Sequence, residues 1–172
     1  MHDELTTFRT PLGWCAMLGR GHQLRALTFG HRNADGALAA LEGKIVAGAR
    51  CSAWNRSLAQ RLVAALEGEP DLFTDVDVDL THLTPFSRKV TAACRRIPWG
   101  ETRTYGELAA TAGRPAAARA VGRVMSQNRT PLVVPCHRVI GSTGRLVGFS
   151  APQGIALKRR LLMLESAALV GC

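Results

Sequence analysis

The sequence lacks the long apolar run that a membrane span requires. No uninterrupted hydrophobic stretch approaches roughly 18 residues, and Asp3 and Glu4 stand where a secretory signal would need basic residues. Hydrophobic residues make up 47% of the 172 positions, which excludes a disordered or collagen-like chain. We therefore expect a soluble, cytoplasmic globular protein of one domain or two small ones, with no membrane partner.

Closely spaced cysteine pairs are also missing. The five cysteines contain no Cys-x-x-Cys pair and are widely separated: Cys15, Cys51, Cys94, Cys136 and Cys172. An odd, scattered set argues against a disulfide framework and favours reduced thiols.

Acidic residues are scarce in the second half of the chain. Residues 81–172 hold 14 Lys and Arg against 3 Asp and Glu, a net charge of +11, whereas residues 1–80 hold 8 against 10, a net charge of −2. A concentrated positive field attracts polyanions, of which nucleic acid is the most common in cells. One alternative is that the charge only keeps the protein soluble. Another is a bias in genome composition, because 19 of the 22 basic residues are Arg.

Residues 1–80 have the pattern of a small α+β scaffold. Between Leu5 and Gly30, apolar and polar residues alternate loosely around glycine turn signals, which predicts two or three short antiparallel strands. Helical spacing over 33–41 and 57–66 predicts two helices. Val76 and Val78, each flanked by Asp, predict a short edge strand.

Residues 81–172 have the pattern of a helical unit. Thr84 followed by Pro85 predicts a helix start, with Thr84 as the cap. Thr104 and Glu107 form a capping box that begins a second helix. Pro115 is expected to open a third helix that runs to about residue 127. The second and third helices, joined by a glycine-containing turn, predict a helix-turn-helix.

One face of the third helix combines small residues with arginines: Ala116, Arg119, Ala120 and Arg123. Such a face allows close approach to a nucleic-acid groove while the cations meet phosphates. An ordinary solvated helix face is the alternative. A last helix is expected from residue 154 to about 166, ending at Glu165. Its exposed residues are expected to be Lys158, Arg159 and Arg160.

The apolar stretch over 131–141 is interrupted by Cys136, His137 and Arg138. Prolines 131 and 135 remove backbone donors, so the pattern predicts a rigid, partly buried crossing rather than a central strand. Cys136 is a candidate nucleophile, because a neighbouring histidine and a basic surface favour the thiolate. The alternatives are a small buried apolar cysteine and a core histidine bonded to a backbone carbonyl.

Residues 135–139, which read PCHRV, resemble the active-site signature of the O6-alkylguanine-DNA alkyltransferases, also called methylated-DNA–protein-cysteine methyltransferases. The resemblance includes IPWGET over 97–102, YGELA over 105–109, RAVG over 119–122, Asn128 and the helix over 158–165. It covers about residues 84–166, whereas residues 1–80 match only in rough pattern. It implies an α+β fold, with an N-terminal antiparallel-sheet domain over 1–80 and a C-terminal domain over 81–172 that contains a winged-helix-like helix-turn-helix.

The resemblance implies DNA repair by irreversible alkyl transfer from O6-alkylguanine to Cys136, and it leaves open whether O4-alkylthymine is also a substrate. One transfer consumes the protein, so it is an enzyme in the stoichiometric sense and needs no cofactor. His137, acting through a water and oriented by Glu165, would help to remove the thiol proton. Asn128 would bond within the turn that supports the site. Glu165 is independently notable as one of three acidic residues in 81–172.

The resemblance also implies that the damaged nucleotide rotates out of duplex DNA, because a stacked O6 cannot be reached in line. Tyr105 would touch the DNA backbone and assist proton delivery to the departing guanine. The carbonyls of Cys136 and Val139 would accept hydrogen bonds from the guanine amino group. Arg119 would fill the vacated space, and a monomer would suffice.

Three substitutions depart from the family pattern: Thr91 for tryptophan, Cys94 for leucine and Arg129 for proline. A longer loop over 144–154 leaves open whether Ser150 or Pro152 faces the substrate oxygen.

Some family members bind zinc in the N-terminal domain. The zinc ligands conceivable here are Cys15, His22, His31 and Cys51, but their spacings match no tight site, so no metal is expected.

Two other functions remain as alternatives. One is a non-enzymatic lesion sensor or DNA-binding regulator, and the other is a cysteine hydrolase that uses Cys136 and His137.

Overall fold

The computed structural model describes residues 2–41 and 48–170, with side chains described as far as residue 167. Three antiparallel strands open the fold, as the alternation predicted: β1 (Glu4–Thr10), β2 (Gly13–Arg20) and β3 (Gln23–His31). A two-residue strand, β4 (Arg50–Cys51), pairs in parallel with β1, so the sheet order is β3-β2-β1-β4. Gly13 allows the tight β1–β2 turn, since its φ is +116° and an added Cβ would lie 2.6 Å from the His31 carbonyl oxygen.

Two helices cover this sheet where the spacing predicted them: α1 (Ala34–Leu41) and α2 (Arg56–Glu67). Side-chain amides cap both helices. Asn33 Oδ1 accepts from the Gly36 N–H at 2.8 Å, and Asn55 Oδ1 accepts from the Leu58 N–H at 3.1 Å. Asn55 has a φ of 49°, a conformation that asparagine tolerates better than most residues.

The edge strand predicted at Val76 and Val78 does not form. Val78 makes a single bridge to Leu24 of β3, although both valines are buried. The pairing goes no further because the chain turns after Asp79. The Asp79 carboxylate accepts hydrogen bonds from the backbone N–H and the hydroxyl of Thr81.

The described part of the second half contains four α-helices: α3 (Pro85–Arg95), α4 (Tyr105–Thr111), α5 (Ala118–Ser126) and α6 (Gly154–Val170). Two short strands, β5 (Arg103–Thr104) and β6 (Val139–Ile140), pair in parallel. Thr84 caps α3 as predicted. The capping box at α4 is complete: Thr104 Oγ1 accepts from the Glu107 N–H, and Glu107 accepts from the Thr104 N–H. The α+β class and the α4–α5 helix-turn-helix are confirmed.

One end of each of the two basic helices differs from the sequence prediction. Helix α5 begins at Ala118 rather than at Pro115, because residues 114–117 form a separate turn in which the Ala117 N–H donates to the Arg114 carbonyl. Helix α6 continues past Glu165 to Val170.

Lys158 is fully buried, which corrects the expectation that it faces solvent. It lies three residues before Leu161 and seven before Glu165, so all three share the inner face of α6. Its ammonium is satisfied there, because Nζ donates to the Val139 carbonyl at 2.6 Å and to the Val147 carbonyl at 3.1 Å.

The buried side chains form clusters that place the Cys136 segment between the two halves. One cluster lies within the helical half and includes Val90, Val121 and Cys136. Another joins Phe29 of β3 to Leu157 of α6 and to the 131–135 crossing. The domain boundary near residue 80 stays a prediction, because this cluster draws on both sides of it. Within the described ranges, no helix is both long and apolar enough to cross a membrane.

Candidate active site

Cys136 begins a single 3-10 turn, Cys136–Arg138, directly after Pro135. Its N–H donates to the Val134 carbonyl at 2.7 Å, and its own carbonyl accepts from the Val139 N–H. The preceding Leu132 adopts a φ of 72°, so the segment is a tight crossing and not a strand, as the prolines predicted. The backbone beneath the sulfur is therefore fixed.

Asn128 holds the sulfur from one side. Its Nδ2 lies 3.2 Å from Cys136 Sγ and also donates to the Val134 carbonyl at 2.8 Å. Its Oδ1 accepts from the Thr130 N–H at 3.0 Å, which fixes the orientation of the amide. The amide therefore presents a donor to the sulfur, and such a donor stabilises a thiolate.

Burial raises the pKa of the Cys136 thiol above its ordinary value, although the Asn128 hydrogen bond and the positive charge of Lys158 act in the opposite direction. The resting sulfur is therefore a thiol at neutral pH. A nucleophilic reaction requires a base that can take its proton.

His137 and Glu165 form a buried pair. His137 Nε2 lies 2.7 Å from Glu165 Oε1, and each residue is 2% exposed. Burial by itself raises the pKa of a carboxyl, but the His137 and Arg138 contacts outweigh it and lower the pKa of Glu165 to about 2. Burial lowers the pKa of His137. The pair is therefore an ionised carboxylate and a neutral imidazole.

This charge state assigns the tautomer of His137. Nε2 faces a carboxylate, so it carries the proton and donates it to the hydrogen bond. Nδ1 then holds the free lone pair, and it is buried without a hydrogen-bond partner among the described residues. His137 Nδ1 is therefore the basic atom of the site.

Arg138 is a functional residue to which sequence reasoning gave no role. Its Nε and Nη2 donate to Glu165 at 2.9 to 3.1 Å, and Nη1 donates to the Ile97 carbonyl at 2.9 Å. Its guanidinium lies over the Trp99 ring, 5.4 Å from the centroid. The sequence did contain a signal for this ion pair. Arg138 is a permanent cation inside an apolar run, and Glu165 is the acid of the following helix that could pair with it.

A cavity of about 660 Å³ opens at Cys136. Its wall is formed by the first residues of α4, the first turns of α5 and the loop before α6; the lining includes Tyr105, Gly106, Arg119, Gly122 and Cys136. Tyr105 Oη donates to the Val147 carbonyl at 3.3 Å, and Lys158 Nζ donates to the same oxygen. These two bonds fasten the loop over the cavity. Burial raises the pKa of Tyr105, which keeps the phenol protonated.

Of the remaining predicted site residues, some line this cavity and others lie outside it. Ala120 and Arg123 are exposed on α5 and do not line it, while Ala116 is exposed in the turn before the helix. Val139 is buried, and its carbonyl already accepts from Lys158. Ser150 lines the cavity and Pro152 does not, so the fold places Ser150 beside Cys136.

No group of three His, Cys, Asp or Glu side chains within the described ranges is arranged to hold a metal ion. Three of the four conceivable zinc ligands have other partners nearby, and His22 Nε2 lies 3.2 Å from Asp77 Oδ2. Cys15 is buried against Thr10, and His31 Nε2 lies 2.6 Å from Thr28 Oγ1.

Comparison with known proteins gives matches over most of the chain. A family model described as 6-O-methylguanine DNA methyltransferase, DNA binding domain, matches residues 85–167. The methylated-DNA–protein-cysteine methyltransferase of Mycobacterium tuberculosis (strain ATCC 25618 / H37Rv) is 48% identical over 107 residues, which is 62% of this chain and 62% of that protein. The protein of the same name from Methanosarcina acetivorans is 43% identical over 113 residues, 65% of this chain and 69% of that protein.

The whole fold also has a solved counterpart. The crystal structure of Mycobacterium tuberculosis OGT in complex with DNA superposes with a TM-score of 0.81 at 35% identity, covering 96% of this chain and 94% of that chain. The chain therefore belongs to the O6-methylguanine-DNA methyltransferase family, the methylated-DNA–protein-cysteine methyltransferases.

Proposed function

We propose that this protein repairs DNA by moving the alkyl group of an O6-alkylguanine onto Cys136 in a single, irreversible transfer. The observation that carries the proposal is an array of three residues: Cys136 lines the 660 Å³ cavity, and His137, the next residue along the chain, is hydrogen-bonded to Glu165. A nucleophile, a neutral base and an orienting carboxylate are the parts that a buried thiol needs in order to react.

The reaction balances without a cofactor. The thiol proton of Cys136 passes through a water to His137 Nδ1, and the sulfur attacks the alkyl carbon in line with the O6 bond. A carbon–sulfur bond forms as the carbon–oxygen bond breaks, and guanine takes up a proton as it leaves. The product thioether has no route back to a thiol, so each chain reacts once.

The Asn128 amide and the buried ammonium of Lys158 would stabilise the negative charge that develops on sulfur. Glu165 stays ionised beside Arg138, so it stabilises the imidazolium that forms at His137 without taking its proton. Tyr105 stays protonated in the cavity wall, which suits a proton donor to the departing guanine.

DNA is the proposed partner, since the related Mycobacterium tuberculosis protein was solved in complex with DNA. The exposed face of α5 carries Arg119, Ala120 and Arg123. Arg119 also lines the Cys136 cavity, so a base that leaves the stack beside this helix could enter the cavity while Arg119 takes its place. The carbonyls of Cys136 and Val139 each accept one backbone or lysine hydrogen bond already, and each keeps a lone pair for the guanine amino group.

We further propose a monomer that acts in the cytoplasm. Every group of the array comes from one chain, so a second copy has no chemical task. The reaction consumes a free thiol, and the cytosol keeps thiols reduced.

Mass spectrometry of the protein after incubation with duplex DNA that contains O6-methylguanine tests the proposal. We expect one added methyl group on the Cys136 peptide and restored guanine in the DNA. Cys51, which is exposed, should stay unmodified and serves as the internal control for indiscriminate alkylation. A Cys136→Ser variant should bind the lesion duplex and restore no guanine.

Two outcomes would support the alternatives. If folded protein binds the lesion duplex and Cys136 stays unmodified at equal molar amounts, the protein is a lesion sensor. Repeated turnover of an ester or peptide would indicate a hydrolase.

A further inference from the structure

A very small cavity, here called the inner gap, borders the buried pair of His137 and Glu165. Its volume is about 10 Å³, which is roughly the room for one water molecule. Arg138 and Trp99 also line it, whereas Cys136 does not. The inner gap and the 660 Å³ cavity share no lining residue, so they are separate spaces.

Part of the wall of the inner gap comes from the N-terminal half. Ala65 and Leu66 of α2 line it, together with Phe73 in the segment that follows this helix. All three are buried, and Phe73 is the largest of them. Leu161 and Leu164 of α6 complete the apolar part of the lining. Apolar side chains from both halves therefore enclose the polar pair.

Phe73 is held in a backbone conformation that a bulky residue rarely adopts. Its φ is 51°, and such a conformation persists only where the surroundings impose it. The Phe73 N–H donates to Asp71 Oδ1 at 2.7 Å, and its carbonyl accepts from Arg95 Nη2 at 2.7 Å. The Arg61 guanidinium lies over the ring, 5.2 Å from the centroid. Arg95 belongs to α3, so both halves of the chain hold this ring at the gap.

The His137 imidazole depends on such enclosure for its charge state. Burial is the largest cause of its lowered pKa; Glu165 acts in the opposite direction, and the charges of Arg138 and Lys158 act with burial. Water beside the ring would hydrate the imidazolium and raise the pKa. The charged groups around Phe73 do not line the gap: Arg61, Asp71, Asp75 and Arg95.

We propose that Phe73 is a positioning residue for the alkyl transfer, because the N-terminal half inserts its ring as an apolar cover that keeps water away from the His137–Glu165 pair. Phe73 does not line the 660 Å³ cavity, so it meets neither the sulfur nor the alkyl group. It acts through His137, which it keeps in the neutral form that can accept the Cys136 proton. This inference rests on the proposed function and gives the N-terminal half a part in the chemistry.

Two variants open the gap and two serve as controls. Phe73→Gly removes the ring and leaves a residue that adopts a φ of 51° without strain, so the turn should persist. Leu164→Ala opens the gap from α6 and is the second probe. Phe73→Leu keeps an apolar side chain and should restore the cover. Phe8→Ala is the matched control, because Phe8 packs against the same hydrophobic cluster and lines neither cavity.

The first measurement is an NMR titration of the His137 imidazole between about pH 5 and 8 in the DNA-free protein. Loss of one signal in His137→Gln assigns the resonance. The wild-type midpoint should lie below the ordinary value of 6.5. Phe73→Gly should raise it by about one unit, since water then reaches the ring, and Leu164→Ala should raise it as well. Phe73→Leu and Phe8→Ala should keep the wild-type midpoint.

The second measurement is the rate constant of methyl transfer from an O6-methylguanine duplex across the same pH range. Only the neutral imidazole accepts a proton, so the rate should fall as the pH drops through the His137 midpoint. In Phe73→Gly this fall should occur at a higher pH, displaced by the same amount as the titration. The rate above the fall should equal that of the wild-type protein.

An unshifted His137 titration in folded Phe73→Gly and Leu164→Ala proteins would overturn the cover, whether or not methyl is transferred. An equal shift in Phe8→Ala would overturn it too, because general loosening of the core would then be the cause. Absence of methyl transfer by the wild-type protein, with the titration shifted as expected, is a different result. It refutes the proposed function and leaves no reaction for Phe73 to assist.

Discussion

Two arginine–carboxylate clusters of this protein use the same chemistry in opposite environments. In the N-terminal half, Arg61 bonds Asp71 and Asp75 at 2.7 to 2.9 Å, with side chains 32%, 23% and 66% exposed. In the C-terminal half, Arg138 bonds Glu165 at similar distances, and both side chains are 3% exposed. Distance does not distinguish the clusters, but burial does.

The difference explains why only one of them builds a reactive site. Water screens the first cluster, which ties the chain after α2 back onto that helix. The second cluster is surrounded by protein, so the hydrogen bonds from His137 and Arg138 and the Arg138 charge keep Glu165 ionised, while burial keeps His137 neutral. A buried pair of this kind is weak evidence for stability, and here it fixes the protonation state of a base.

The largest expected effect is the difference in stability between removing a carboxylate charge from the buried cluster and removing one from the exposed cluster. Glu165→Gln leaves the Arg138 guanidinium buried and uncompensated, so we expect a loss of about 3 to 5 kcal/mol in the free energy of unfolding. Asp75→Asn should cost at most about 1 kcal/mol, because the pair is exposed. Urea unfolding of the two isosteric variants measures both. Equal losses would contradict the role assigned to burial.

The free energy of unfolding should also depend on pH more strongly through the buried cluster than through the exposed one. The pKa of His137 is lowered on folding, so its contribution is full above the ordinary value of 6.5 and is lost as the pH falls below it, because the unfolded chain binds the proton first. The pKa of Glu165 is lowered to about 2, so its contribution is full above about 4.5 and is lost between there and 2.

Unfolding free energies of wild-type, His137→Gln and Glu165→Gln proteins across this pH range measure the two contributions. His137→Gln should remove the loss below pH 6.5, and Glu165→Gln should remove part of the loss below about 4.5. The exposed Asp75 serves as the reference from the other cluster, and Asp75→Asn should change the profile less than either. Parallel profiles for all four proteins would refute the assigned charge states.

A smaller effect is expected at the DNA-facing helix. Arg119→Ala should slow transfer from duplex DNA about tenfold or more and leave transfer from free O6-methylguanine unchanged, because extrusion of the base costs a few kcal/mol only in the duplex. Arg123→Ala is the matched control, since Arg123 lies on the same helix outside the cavity. Its loss should weaken DNA binding and reduce the salt dependence by about one phosphate contact. Equal losses of Arg119→Ala on both substrates would exclude the extrusion role.

The smallest effects concern the helix caps of the two halves. Thr104→Ala and Asn55→Ala should each cost about 1 kcal/mol of unfolding free energy. Helix α4 begins at Tyr105, so Thr104→Ala should also slow alkyl transfer, whereas Asn55→Ala at α2 should leave the rate unchanged. Stability and transfer rate are measured for both variants. A rate that changes equally in the two would mean that general stability, and not the position of Tyr105, controls it.

Local signals in the sequence predicted most elements correctly. The Thr84 cap, the Thr104–Glu107 capping box and the alternation in the first strands each depend on neighbours a few residues away, and each is present in the structure. The errors occur where a distant contact decides. Helix α6 was expected to expose Lys158, but the Val139 carbonyl of β6 and the Val147 carbonyl of the loop before α6 make its burial possible. The start of α5 was displaced by the turn at residues 114–117.

The sequence by itself determined the nucleophile segment, the charge asymmetry and the family, because a thiol, an imidazole and a guanidinium in an apolar run, bounded by prolines, form a distinctive local pattern. Only the tertiary structure decided which atom of His137 is basic, that His137 and Arg138 keep Glu165 ionised, and that Cys136 lines a cavity. These properties depend on burial and on distances between groups far apart along the chain, since Glu165 follows His137 by 28 residues. Local spacing carries no information about either.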